Sequence, residues 1–237
     1  MQIGPSTGMY YKLNGNERIV ESFLSAVQYA RGAIEIQFGT AFVSHAEDLM
    51  QHADAIRDIP YRSLHAPNLK GIHYSDNPEA HRVLALIEQM TEVFDLHTVN
   101  FHPDVIDDFS VFSAYPGIPY AFENMDPDKS FGQSVEDMET VFEQMPEAGI
   151  VIDLQHCFVN DRSMQLATDL HKHFADRLRH YHVSGYTPEL VHAVLCRTQQ
   201  DSVLDAAVAD VPVVLEGIAE EADDVSAEMA YVTEHMG

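Results

Sequence analysis

The feature that most constrains this chain is a rhythm. Short runs of apolar and β-branched residues recur about every 30 residues and alternate with longer amphipathic stretches. The strand-like runs lie at 2–4, 33–38, 61–65, 96–101, 120–123, 150–154, 180–183 and 211–216. Between them apolar residues return at helical spacing, as in Val83, Leu84, Ile87, Met90 and Phe94, or Val135, Met138, Val141, Phe142 and Met145. Helix starts carry capping signals: Ser44 with Glu47, Asn77 before Pro78, and Ser134 ahead of an acidic first turn, while Pro146 stops one segment. Eight strand–helix units in 237 residues predict an α/β fold, a (β/α)8 TIM barrel spanning residues 1–237 as a single domain. A doubly wound open sheet would alternate too, but Gly4-Pro5-Ser6-Thr7-Gly8 is not a dinucleotide-binding turn. No linker, repeat or low-complexity tract divides the chain.

Composition narrows the setting. No apolar run approaches the ~20 residues of a membrane span, and the first residues lack the basic-then-apolar pattern of a secretory leader. Two cysteines, Cys157 and Cys196, fit a reducing, cytoplasmic environment better than a disulfide scaffold. Thirteen basic residues against 38 acidic ones give a net charge of −25, and only Lys12, Lys70, Lys129 and Lys172 are lysines. A nucleic-acid partner is disfavoured, since phosphate is normally met by a basic face. A high-salt cytoplasm would explain the same acidity and keeps that partner open.

In a barrel of this kind chemistry sits at the C-terminal ends of the strands. His65 ends the third run, His102 follows the fourth, Glu123 ends the fifth and Asp153 ends the sixth, with His156 three residues on. His182 ends the seventh and Glu216 the eighth. Singly each reads as a solvated loop residue, and Asp153 also reads as a helix cap. Jointly, imidazoles and carboxylates at the ends of apolar runs need partners, and a divalent cation (zinc, manganese, magnesium or iron) serves both ligand types. Cys157 reads as a small buried hydrophobe, and His171 and His173 as helix surface. Tyr10 and Tyr11 either reach the mouth to stack on a sugar or pack elsewhere. Glu35, inside the second run, points either into the barrel or at a helix.

These motifs, His65-Ala66-Pro67-Asn68-Leu69, Phe101-His102-Pro103, Phe122-Glu123-Asn124-Met125, Asp153-Leu154-Gln155-His156, His182-Val183-Ser184 and Leu215-Glu216, resemble the xylose-isomerase-like TIM barrels. That superfamily joins sugar isomerases and epimerases to endonuclease IV, and the resemblance spans the third to eighth strands. Its isomerase branch implies one metal held by Glu123, Asp153, His182 and Glu216, with carboxylates, Glu123 and Glu216 foremost, moving a proton beside a carbonyl. Its endonuclease IV branch implies a second metal on His65 and His102 with Glu123 bridging. It also implies a third on His156 and an Asp-x-His pair, where this chain has Leu190-Val191-His192 and so keeps only His192. The leading expectation is a metal-dependent sugar or sugar-phosphate isomerase or epimerase with a small polyhydroxylated substrate. The alternative is an endonuclease IV-like phosphodiesterase acting at abasic sites in DNA. A barrel that binds metal or ligand without turnover is a third.

Overall fold

A computed structural model describes residues 1–15, 17–37, 42–68 and 72–236. Among them the eight strands are β1 (Ile3–Pro5), β2 (Ala33–Gln37), β3 (Tyr61–His65), β4 (Thr98–Phe101), β5 (Tyr120–Glu123), β6 (Gly149–Asp153), β7 (Leu178–Val183) and β8 (Val213–Leu215). All pair in parallel, in the order β1-β8-β7-β6-β5-β4-β3-β2. The ends of that order meet through a parallel bridge between Ser6 and Glu35, so the barrel is nearly closed. Gly4 permits this approach, because a Cβ at that position would lie 1.6 Å from the carbonyl oxygen of Ala33. Any side chain there would push β1 away from β2.

The helices among these residues are α1 (Tyr11–Asn14), α2 (Ile19–Tyr29), α3 (Phe42–Met50), α4 (Pro78–Phe94), α5 (Val135–Gln144), α6 (Leu154–Asn160), α7 (Gln165–Phe174), α8 (Leu195–Thr198), α9 (Asp201–Asp205) and α10 (Asp224–Met236). The longer ones form where the sequence pattern places them. In α4 the buried side chains are Ala80, Val83, Leu84, Ile87, Met90 and Phe94, a stripe at 3–4 residue spacing. Its start is capped by Asn77, whose side chain accepts from the Ala80 amide at 2.9 Å. Ser134 caps α5 by accepting from Asp137 N at 3.1 Å. Each large apolar side chain so buried contributes roughly 1.5–3 kcal/mol.

Several expectations are corrected at the ends of elements. Ser44 does not start a helix, since α3 already runs from Phe42; Ser-x-x-Glu also fits an interior turn, where serine bonds locally. β4 begins at Thr98, β8 ends at Leu215, and β7 begins two residues early at Leu178. Phe38, the end of the second predicted run, lies outside the described residues, as do Leu69 and Lys70. Between β4 and β5 the connection is made by 3₁₀ turns at Pro103–Val105 and Phe109–Ala114, with no α-helix. No helix among the described residues is long and apolar enough to cross a membrane.

Candidate metal centre

Strand alternation builds the site. Ile34 and Ile36, Leu64, Val99 and Phe101, Phe122, Ile152, Tyr181 and Val183 face the helices and are buried. The alternate positions face the barrel axis, and many of them are polar: Glu35, Ser63, His65, Asn100, Glu123, Asp153, His180 and His182 are all buried, at 3% exposure or less. His102 and Glu216, one residue beyond their strands, continue the same alternation into the mouth.

Glu123 sits at the middle and divides its oxygens. Oε2 lies 3.5 Å from His65 Nε2 and 3.5 Å from His102 Nε2, and those two nitrogens are 3.1 Å apart. Oε1 lies 3.4 Å from His182 Nδ1 and 3.4 Å from His156 Nδ1. His182 Nδ1 in turn stands 3.3 Å from Glu216 Oε2. Ligand atoms within 4.8 Å of one another thus group as His65–His102–Glu123, Glu123–Asp153–His182–Glu216 and Asp153–His156–His192. A carboxylate that the sequence did not suggest, Asp126, brings Oδ2 to 3.8 Å from His156 Nε2.

Asp153 shows how capping and site building combine. Its Oδ1 accepts from the His156 amide at 2.8 Å and starts α6. Its Oδ2 is buried without a hydrogen-bond partner, as are Glu216 Oε1 and His182 Nδ1. Buried polar atoms left without a hydrogen bond are costly, and these three belong to one ligand group. A divalent cation fits that donor set. Two histidines are already oriented for such a role. His65 Nδ1 donates to the Ala66 carbonyl at 2.9 Å and His156 Nδ1 to the Asn124 carbonyl at 2.8 Å, which turns each Nε2 inward.

Electrostatics shows how strongly these groups act on one another. Burial pushes Glu216 up to about 7, assisted by the negative charges of Glu123 and Glu35. Burial likewise lifts Asp153 to about 6. Burial also opposes ionisation of Glu123, but the charges of His182 and His102 overcome it and hold this carboxylate well below its ordinary range. Burial disfavours the charged form of His65, yet its bond to Glu123 raises it to about 9. His192 is driven down to about 3 by burial and by His156, so it stays neutral with a lone pair available.

All seven residues expected at the mouth, His65, His102, Glu123, Asp153, His156, His182 and Glu216, are therefore brought together, and His192 joins them. Glu35 points inward, against Ser63, His180 and His182. Tyr10 is buried in the hydrophobic core and Tyr11 is 54% exposed, so neither lines this cluster. Cys157 is buried, and its Sγ accepts from Asn124 Nδ2 at 3.4 Å. His171 bonds Tyr181 and His173 faces Glu139, both away from the centre. Sequence reasoning missed His180 and Asp126; the i, i+2 relation of His180 to His182 within one strand was the signal for the first.

No protein-family model and no curated protein matches the chain. Solved structures do. Endonuclease IV from Thermus thermophilus shares 12% identity over 99% of this chain and 98% of that one, with a TM-score of 0.64. D-allulose 3-epimerase from Methylomonas sp., in complex with D-allulose, shares 11% over 100% and 97%, with a TM-score of 0.63. The probable 3-DHS dehydratase AsbF from Bacillus anthracis shares 12% over 98% and 99%, with a TM-score of 0.64. Epimerase, endonuclease and dehydratase are three chemistries on one architecture, and what this chain has in common with them is its fold, a (β/α)8 TIM barrel.

Proposed function

We propose that this chain is a metal-dependent enzyme with a multinuclear centre, a hydrolase of phosphate esters, working as one domain in a reducing, cytoplasmic setting. The observation that carries the reading is the division of Glu123, with Oε2 on the His65–His102 side and Oε1 on the His182 side. A single-metal isomerase has no need of His65 and His102, whereas a carboxylate shared by two ligand sets is how two adjacent cations are held. Bound there, divalent ions supply Lewis acidity toward the attacking and leaving oxygens of a phosphate.

The residues divide the remaining work. His65, His102 and Glu123 form one ligand set, and Glu123, Asp153, His182 and Glu216 a second. Asp153, His156 and His192, with Asp126 beside them, form a third. Asn100 donates its side-chain amide to Glu123 Oε2 and fixes the shared carboxylate. Glu216 presents an unpartnered Oε1 while Oε2 faces His182. It is the group placed to take a proton from an attacking water. Burial of the centre keeps bulk water away from these charges.

A second reading, the sugar or sugar-phosphate isomerase or epimerase, is favoured by the four-residue set Glu123–Asp153–His182–Glu216, which is complete without the other histidines. In that case Glu123 and Glu216 move a proton beside a carbonyl.

The deciding experiment measures metal per chain by elemental analysis and then two activities on the loaded protein. Two or three ions, with metal-dependent hydrolysis of bis(4-nitrophenyl) phosphate or incision of an abasic-site duplex, support the hydrolase. One ion, no hydrolysis and exchange of a ketose-phosphate C–H with solvent would replace it by the isomerase. Metal without either activity would leave a binding barrel.

A further inference from the structure

Below the ligand sets lies a polar network that the proposed reaction does not use. Glu35 is 0% exposed, and its Oε2 accepts from Ser63 Oγ at 3.0 Å. The same oxygen stands 3.2 Å from His182 Nε2 and 3.4 Å from His180 Nε2. The two imidazole Nε2 atoms are 2.9 Å apart. His180 Nδ1 lies 2.7 Å from the Tyr61 hydroxyl, which donates to Thr98 Oγ1 at 2.9 Å.

With the hydroxyl of Tyr61 committed to Thr98 and His182 neutral, as a metal ligand must be, one arrangement of protons carries this chain. His180 Nδ1–H donates to the Tyr61 oxygen, and its Nε2 is left as a lone pair. His182 must then donate from Nε2, toward His180 Nε2 and toward Glu35 Oε2, an ionised carboxylate oxygen that only accepts. Its Nδ1, 3.4 Å from Glu123 Oε1 and 3.3 Å from Glu216 Oε2, is then the nitrogen left to meet a cation. Reversing His182 would set two imidazole lone pairs and a carboxylate against each other in a fully buried site.

We infer that Glu35 is a positioning residue: with His180, Tyr61 and Thr98 it holds His182 as the Nε2–H tautomer and so presents Nδ1 to the cation. His65 and His156 are oriented by backbone carbonyls, whereas His182 is oriented by a side-chain carboxylate one layer deeper in the barrel. Such outer partners fix ring orientation and raise ligand basicity, and their loss typically weakens metal binding by about 10- to 100-fold. This inference rests on the metal centre proposed above.

The test uses zinc alone as the ligand and two variants of the full chain. Glu35→Gln keeps the volume but loses the carboxylate. Tyr61→Phe keeps the ring and removes the hydroxyl that directs His180. Zinc affinity is read by competition with a chromogenic chelator, and the His182 tautomer by ¹⁵N-histidine NMR of the zinc-loaded wild type. The expected results are an Nε2–H signal for His182 and zinc binding about 10- to 100-fold weaker in Glu35→Gln. Tyr61→Phe should weaken binding in the same direction, and both variants should give native-like spectra. Zinc-loaded His182 protonated on Nδ1, or both variants binding as wild type does, would overturn this inference and leave the metal centre standing. Wild type that binds no zinc would remove both. Should Glu35→Gln fail to fold, Tyr61→Phe and the wild-type tautomer decide.

Discussion

Glu123 gives one oxygen to His65 and His102 and the other to His182 and His156, so one substitution should disturb two ligand sets at once. Glu123→Gln is expected to lower the bound metal by at least one ion per chain, read by elemental analysis. Glu216→Gln touches only the second set, so it should keep the ions of the other two yet slow turnover by about 10²- to 10⁴-fold, the range for losing a positioned base. If Glu216→Gln turned over at the wild-type rate, its proton-transfer role would be wrong. Asp126→Asn isolates the third set. Its Oδ2 stands 3.8 Å from His156, so the variant should lose one weakly held ion and leave the others; retention of every ion would show that Asp126 is not a ligand.

Among the elements, the cap of α5 and the closure of the barrel make contrasting predictions. Ser134→Ala removes an acceptor for Asp137 N at 3.1 Å, which should cost about 1 kcal/mol and lower the Tm by roughly 2–4 °C without touching activity. Gly4→Ala brings a Cβ into the Ala33 carbonyl and should cost far more, with loss of cooperative melting or of soluble protein. A mild shift would mean that β1 and β2 separate freely. The strands were legible because outward positions such as Ile34, Ile36, Ile150 and Ile152 are apolar and periodic. The mouth was legible because His65, Glu123, Asp153 and Glu216 interrupt apolar runs at their ends. The inner layer was not. Glu35 and His180 lie within strands buried on both faces, where alternation does not say which face is the axis. Asp126 lies in a loop after β5, where nothing local marks a ligand. The helix-free β4–β5 connection also escaped, because residues 109–114 carry aromatics that pack against Phe101 and Phe122 without helical spacing.

For the molecule as a whole the net charge of −25 sets the terms on which any anionic substrate arrives. Of the thirteen cations, Lys12, Arg18, Arg57, Arg62 and Arg197 are each held against a carboxylate. Like-charge repulsion works against both the compact state and a polyanionic partner, and salt relieves both, since the Debye length falls from about 10 Å at 0.1 M to about 3 Å at 1 M. The Tm should therefore rise between those concentrations. With metal bound, hydrolysis of bis(4-nitrophenyl) phosphate, which carries one charge, should change little over the same range. Incision of an abasic-site duplex should climb with salt, opposite in sign to a nuclease that grips phosphates with a basic face and loses affinity as counterions compete. Rates of both reactions at 0.1 M and 1 M, with metal held saturating, give the comparison directly. Duplex incision that falls steeply with salt would mean that a cationic track meets the backbone after all, and the acidity would then say nothing about the substrate.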